Sequence, residues 1–82
     1  MKIIIYGKDN CSFCKRAVEL AKQLTASGSI AGFEYIDIVA VGIDAVALGK
    51  IVGKPVRTVP QILVDGESIG GYDELATLSV NL

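Results

Sequence analysis

The chain of 82 residues predicts an α/β domain with element order β-α-β-α-β-β-α and a four-stranded mixed sheet flanked by helices. Three observations carry this expectation. A short β-branched run, Ile3-Ile4-Ile5-Tyr6, leads into a segment of helical spacing and then a second strand-like run, which makes a βαβ unit. Its two strands should lie parallel, joined by a right-handed crossover. Further on, Gln61-Ile62-Leu63-Val64 and Glu67-Ser68-Ile69 flank Asp65-Gly66, a two-residue turn signal that adds an antiparallel hairpin. Finally, both cysteines, Cys11 and Cys14, fall between the first strand and the first helix.

Residues 2 to 6 read as a buried strand ended by Gly7. From Ser12 to about Ser27, the residues Cys14, Ala17, Val18, Ala21 and Leu24 recur at spacings of three and four and give a helix one apolar face. Ser12 is a candidate N-cap through its hydroxyl, and Gly28 a C′ stop. Residues 33 to 38 form the second strand. Residues 42 to 53 read as a second helix ended by Gly53, and their surplus of apolar side chains predicts deep burial rather than an exposed patch. The segment 54 to 60 is a loop with a proline near each end. After the hairpin, Gly70-Gly71 breaks the strand, and a closing helix runs from Tyr72 to about Val80 with Leu75, Leu78 and Ala76 facing inward.

Composition narrows the function classes. With 51% hydrophobic residues a packed core is expected, and the length suits one domain spanning residues 1–82. A formal net charge of -1 offers no bulk attraction for nucleic acid or an anionic membrane surface. Asp37 and Asp44 interrupt the longest apolar tract, so no bilayer-spanning segment is expected. The apolar run after Lys2 is too short for a signal-peptide core. One close cysteine pair in such a chain points to a cytoplasmic setting, where disulfides are transient and catalytic.

Cysteines at i and i+3 between a strand and a helix read as a thiol redox motif. A helix starting just after Cys11 aims unpaired N–H groups and partial positive charge at its sulfur. Lys8, Lys15 and Arg16 add cations nearby. Such surroundings lower a thiol pKa from about 8.5 into the range of about 3.5 to 7.5. Cys11, at the helix mouth, is therefore the candidate nucleophile, and Cys14, one turn in on the buried side, the resolving thiol. A structural disulfide across so small a loop restrains little of the unfolded chain. Structural zinc needs four ligands, and two Cys with no His do not supply them, so no metal site is expected.

Three separated motifs, taken in order, resemble those of the glutaredoxins, and the resemblance covers almost the whole chain. They are Cys11-Ser12-Phe13-Cys14 with Lys8 three residues ahead, Arg57-Thr58-Val59-Pro60 leading into a strand, and Gly70-Gly71-Tyr72-Asp73 opening the last helix. The resemblance implies a thioredoxin-like fold with strand order second, first, third, fourth, and a cis Val59-Pro60 bond beside the cysteines. It implies a glutathione-dependent thiol–disulfide oxidoreductase that reduces protein disulfides and glutathionylated mixed disulfides, poised at about −200 to −230 mV. Glutathione would pair in strand fashion with Val59. Its α-carboxylate and ammonium would meet Gly71, Tyr72 and Asp73, and its glycyl carboxylate would meet Lys8, with Arg57 and Lys50 as further candidates. Thr58 and Pro60 would shape this wall, Thr58 through a hydroxyl-to-backbone hydrogen bond. Disulfide-containing or glutathionylated proteins, ribonucleotide reductase among them, are the implied partners of a monomer.

Ser12 stands where the family usually has proline, and Phe13 where it usually has tyrosine. The loop around Lys54-Pro55-Val56 is longer than the family's usual link. Ser12 opens a second reading, a dimer holding a [2Fe–2S] cluster on Cys11 of each protomer and two glutathiones. A redox-inert peptide-binding module fits poorly, because both thiols are present.

Overall fold

The computed structural model describes residues 1–82 and shows the expected order of seven elements. These are β1 (Lys2–Gly7), α1 (Ser12–Ala26), β2 (Gly32–Asp37), α2 (Ala45–Val52), β3 (Gln61–Val64), β4 (Glu67–Gly70) and α3 (Tyr72–Val80). The strands form one sheet in the order β2-β1-β3-β4. β1 and β2 pair in parallel, with Ile5 opposite Tyr35, while β1 with β3 and β3 with β4 are antiparallel.

Period-two alternation along β1 and β3 divides the core between the two sheet faces. Ile3, Ile5 and Ile62 pack on one side with Ala17, Ala21 and Leu24 of α1 and Leu75 of α3. Tyr6 and Leu63 pack on the other with Leu48 and Val52 of α2. Two helices thus cover one face and a single short helix the other. Ala17 and Ala21 of α1 are buried completely, which lets the helix axis approach the sheet closely.

Turn chemistry matches the sequence at the hairpin and at the helix ends. Asp65 and Gly66 adopt φ of 51° and 83°, the left-handed pair that a tight two-residue turn requires. Gly53 ends α2 in the same region, with φ 84°.

Two expectations about α2 are corrected. The helix covers only Ala45–Val52, because the Asp44 carboxylate caps it by accepting from the Ala47 N–H at 2.8 Å and Gly42 turns the preceding chain. Its apolar surplus is not deeply buried. Only Leu48 and Val52 reach the core, while Val46 is 70% exposed and Ile51 43%. Eight residues lying on one sheet face bury a single stripe, and the remaining apolar residues look outward.

Gly7, the last residue of β1, sits where the sheet meets the cysteine loop. A Cβ there would lie 2.9 Å from the Cys14 sulfur and 3.0 Å from the Tyr35 ring. The absent side chain is what lets α1 start directly against the sheet. Gly7→Ala should therefore destabilise the reduced protein by roughly 1–3 kcal/mol, the usual cost of overpacking. Urea denaturation checks it, and an unchanged midpoint would show that the contact relaxes freely.

Candidate active site

Cys11 is the N-cap of α1. Its backbone is extended (φ −128°, ψ 109°), and its Sγ accepts a hydrogen bond from the Cys14 N–H at 3.1 Å. Ser12, expected to cap through its hydroxyl, is instead the first helical residue and is exposed. The helix begins one position earlier than that role needs, and sulfur takes the place of the usual cap oxygen. The cap and the first turn bring a half-buried Sγ to the helix's positive end.

A loop 48 residues away meets this sulfur. The Cys11 thiol donates to the Val59 carbonyl at 3.4 Å, and the Val59-Pro60 peptide bond is cis. No hydrogen bond within the chain uses the Val59 N–H. The loop is not held by the Thr58 hydroxyl, as the sequence suggested. The buried Gln61 side chain, at the start of β3, donates through Nε2 to the Thr58 carbonyl at 2.8 Å. The exposed Thr58 hydroxyl makes no hydrogen bond within the chain.

Clefts open on either side of Thr58 and Val59. One, of about 330 Å³, is walled by Phe13, Pro60, Gly71, Tyr72, Asp73 and Glu74. Phe13 and Tyr72 stand 6.0 Å apart at 39°, and the Arg16 guanidinium lies 5.3 Å from the Phe13 ring centre. Glu74 accepts from the Gly71 N–H at 2.7 Å and so holds the glycine that opens α3. Sequence reasoning missed Glu74, although its position three residues after the cap is a visible capping signal.

The other cleft, of about 210 Å³, has Lys8, Arg57, Ile38 and Val56 among its walls. Lys8 and Arg57 are thus brought together beside Val59. Lys50 is not with them, since it lines a neighbouring cleft along α2. No three His, Cys, Asp or Glu side chains gather as metal ligands.

Cys14 faces inward and is 1% exposed. Burial pushes its thiol from 9.0 up to about 12, and the hydrogen bond and charge of Cys11 push the same way, against the opposing Lys8 backbone N–H and ammonium. Tyr35, whose ring also lies over Gly7, is raised by burial first and then by the charges of Cys14, Asp37, Asp9 and Cys11. One sulfur is open at a helix end, and its partner is enclosed and protonated.

A buried and an open thiol at the head of a helix, beside an X–Pro loop on this sheet, define a thiol–disulfide oxidoreductase of thioredoxin-like fold. The glutaredoxin family model matches residues 3–69. Glutaredoxin 1 of Salmonella typhimurium is 49% identical over 85 aligned residues, covering 100% of this chain and 98% of that protein. Glutaredoxin 1 of Escherichia coli is 43% identical over 76 residues, covering 93% and 89%. The structure of reduced E. coli glutaredoxin, 41% identical, superposes with a TM-score of 0.88 over 99% of this chain and 95% of that one. A buckwheat glutaredoxin–glutathione complex, 26% identical, superposes with a TM-score of 0.73 over 96% of this chain and 68% of that one. The chain belongs to the glutaredoxin family, the glutathione-dependent thiol oxidoreductases.

The raised Cys14 thiol has a consequence for stability. Above pH 9.0 the unfolded chain gives up this proton, while the folded reduced chain keeps it to about 12. The stabilising contribution is therefore complete below that lower value and is lost as pH climbs toward the upper one, by up to ~1.4 kcal/mol per unit. The stability difference between the reduced wild type and Cys14→Ser, from urea denaturation, should shrink steadily from about pH 9 to about pH 11. A constant difference would mean that the buried thiol ionises freely.

Proposed function

We propose that Cys11 attacks and Cys14 resolves, and that glutathione lies across Val59 between the two clefts. The observation that carries this is the Cys11 sulfur, capped by the Cys14 N–H and facing the Val59 backbone. The thiolate is the reactive form, and the Cys14 N–H is placed to hydrogen-bond that sulfur once its proton has left. The Cys11 thiolate attacks one sulfur of a disulfide, that S–S bond breaks, and the departing thiolate takes a proton. In the dithiol route, Cys14 gives up its proton and attacks the Cys11 sulfur. The substrate's second thiol leaves, and two glutathiones reduce the resulting protein disulfide to give glutathione disulfide.

The raised Cys14 thiol suits this order of events. Burial is the main cause and persists throughout; tying Cys11 in a mixed disulfide removes the hydrogen bond and charge that add to it, while Lys8 still favours ionisation. In the monothiol route, Cys11 attacks the glutathione sulfur of a glutathionylated protein, and a second glutathione releases it.

For glutathione itself, the Val59 N–H and carbonyl would pair with its cysteinyl backbone. The α-carboxylate would meet the start of α3 beside Gly71, at the first-turn N–H groups of Tyr72 and Asp73, with the Asp73 carboxylate taking the ammonium. Thr58, Pro60 and Tyr72 would form the walls. The glycyl carboxylate would meet Lys8, with Arg57 beside it; Lys50, lining another cleft, is the weaker partner. The substrates are disulfide-bonded or glutathionylated proteins in a cytoplasmic setting, ribonucleotide reductase among them, and the working unit is a monomeric domain of residues 1–82. A second reading, the [2Fe–2S] dimer, is supported by Ser12 and the accessible Cys11. Its four thiolates would have to come from two protomers and two glutathiones.

Single substitutions separate these roles. Cys11→Ser should abolish glutathione-coupled turnover of every disulfide. Cys14→Ser should keep release of glutathione from a glutathionylated peptide and lose reduction of a protein disulfide. Full turnover by Cys11→Ser would overturn the assignment. In the same proteins, anaerobic reconstitution with iron, sulfide and glutathione should colour the wild type, and not Cys11→Ser, if the dimer reading holds.

A further inference from the structure

The cleft holding Lys8 and Arg57 does not end beside Val59. It shares Ala45 and Val56 with an outer cleft of about 520 Å³ that runs along α2 and carries Lys50 and Lys54. That volume lies within the range of ligand-binding clefts. Four cations line the two clefts and no carboxylate does. On the opposite side of Val59 the polarity reverses, with Asp73 and Glu74 in the wall and no cation. The outer floor is apolar, and Val46, 70% exposed, forms its edge. Asp44, the acid beside α2, is committed to the Ala47 N–H. Such a charged groove concentrates and orients an oppositely charged partner.

We infer that the outer cleft docks an acidic segment of the protein substrate, the residues that follow its reacting cysteine. This rests on the proposed placement of glutathione. There the glycyl residue points toward Lys8, so a longer chain in the same direction continues past Val56 into the outer cleft. Carboxylate side chains then meet Lys50 and Lys54, and an apolar side chain covers Val46. Substrates of this class bind through more contacts than glutathione makes, while the chemistry at Cys11 is unchanged.

The test uses two disulfide-bonded peptides that differ only in having glutamates or glutamines after the cysteine. The probe of basal activity is 2-hydroxyethyl disulfide, and the comparison is between wild type and the exposed pair Val46→Asp with Lys54→Glu. Wild type should show a KM about tenfold lower for the glutamate peptide at low salt, a gap that closes at about 0.5 M salt. The double variant should erase the gap, with kcat and 2-hydroxyethyl disulfide turnover unchanged. Equal KM values for the two peptides in wild type would overturn the inference, as would a gap that survives in the variant. A wild-type dimer in sedimentation that the variant dissolves would assign the groove to a second copy instead. Failure of wild type to turn over 2-hydroxyethyl disulfide with glutathione would instead strike the proposed function, so the two failures are distinguishable.

Discussion

The hydrogen bond from the Cys14 N–H to the Cys11 sulfur is the contact on which the site depends. A helix must satisfy the N–H groups of its first turn, and here the cap that does so is also a thiol. Sulfur position and helix start become one geometric quantity. Anything that moves the beginning of α1 moves the thiol against the Val59 carbonyl by the same amount. The bare Cα of Gly7 belongs to this arrangement, because it allows the Cys14 sulfur and the Tyr35 ring to close on the end of β1.

Two identical side chains three residues apart thereby acquire opposite properties. Cys14 lies one turn into the helix on its apolar face and is pressed against the sheet, where ionisation means placing charge in an apolar layer. Cys11 lies at the mouth against Val59, which lines both a cleft walled by acids and aromatics and one walled by cations. The asymmetry arises from helix phase and from the order of the strands. The sheet order brings the loop before β3 to the end of β1, so Val59 faces the cysteines across 48 residues of sequence.

The fold was largely legible because each element carries its own local signal. Periodicity located α1, β-branched runs located β1 and β3, and Asp65-Gly66 fixed the hairpin within a residue. The second helix was read too long because Ile43 continues the apolar pattern, whereas the Asp44 cap decides where the helix starts. Its burial was misjudged because a hydrophobic count says nothing about how much sheet surface is left to cover. Within the site, the cysteine spacing marked the thiols, while resemblance to the glutaredoxins pointed to the residues around Val59 and Gly71, which the fold brings to one cleft. The hold of Gln61 on the Thr58 carbonyl, and the closeness of Gly7 to Cys14, are contacts between residues whose types carry no such signal. The separation of Lys50 from Lys8 and Arg57 likewise depends on where the loop after α2 runs.

The central claim is the inequality of the two thiols, and competition for an alkylating agent measures it directly. Reduced protein treated with limiting iodoacetamide near neutral pH, followed by peptide mapping, should carry the label on Cys11, with Cys14 reacting at least about a hundredfold more slowly. Unfolding in urea should bring the two rates together. Comparable labelling of both cysteines in the folded protein, or faster labelling of Cys14, would contradict the account.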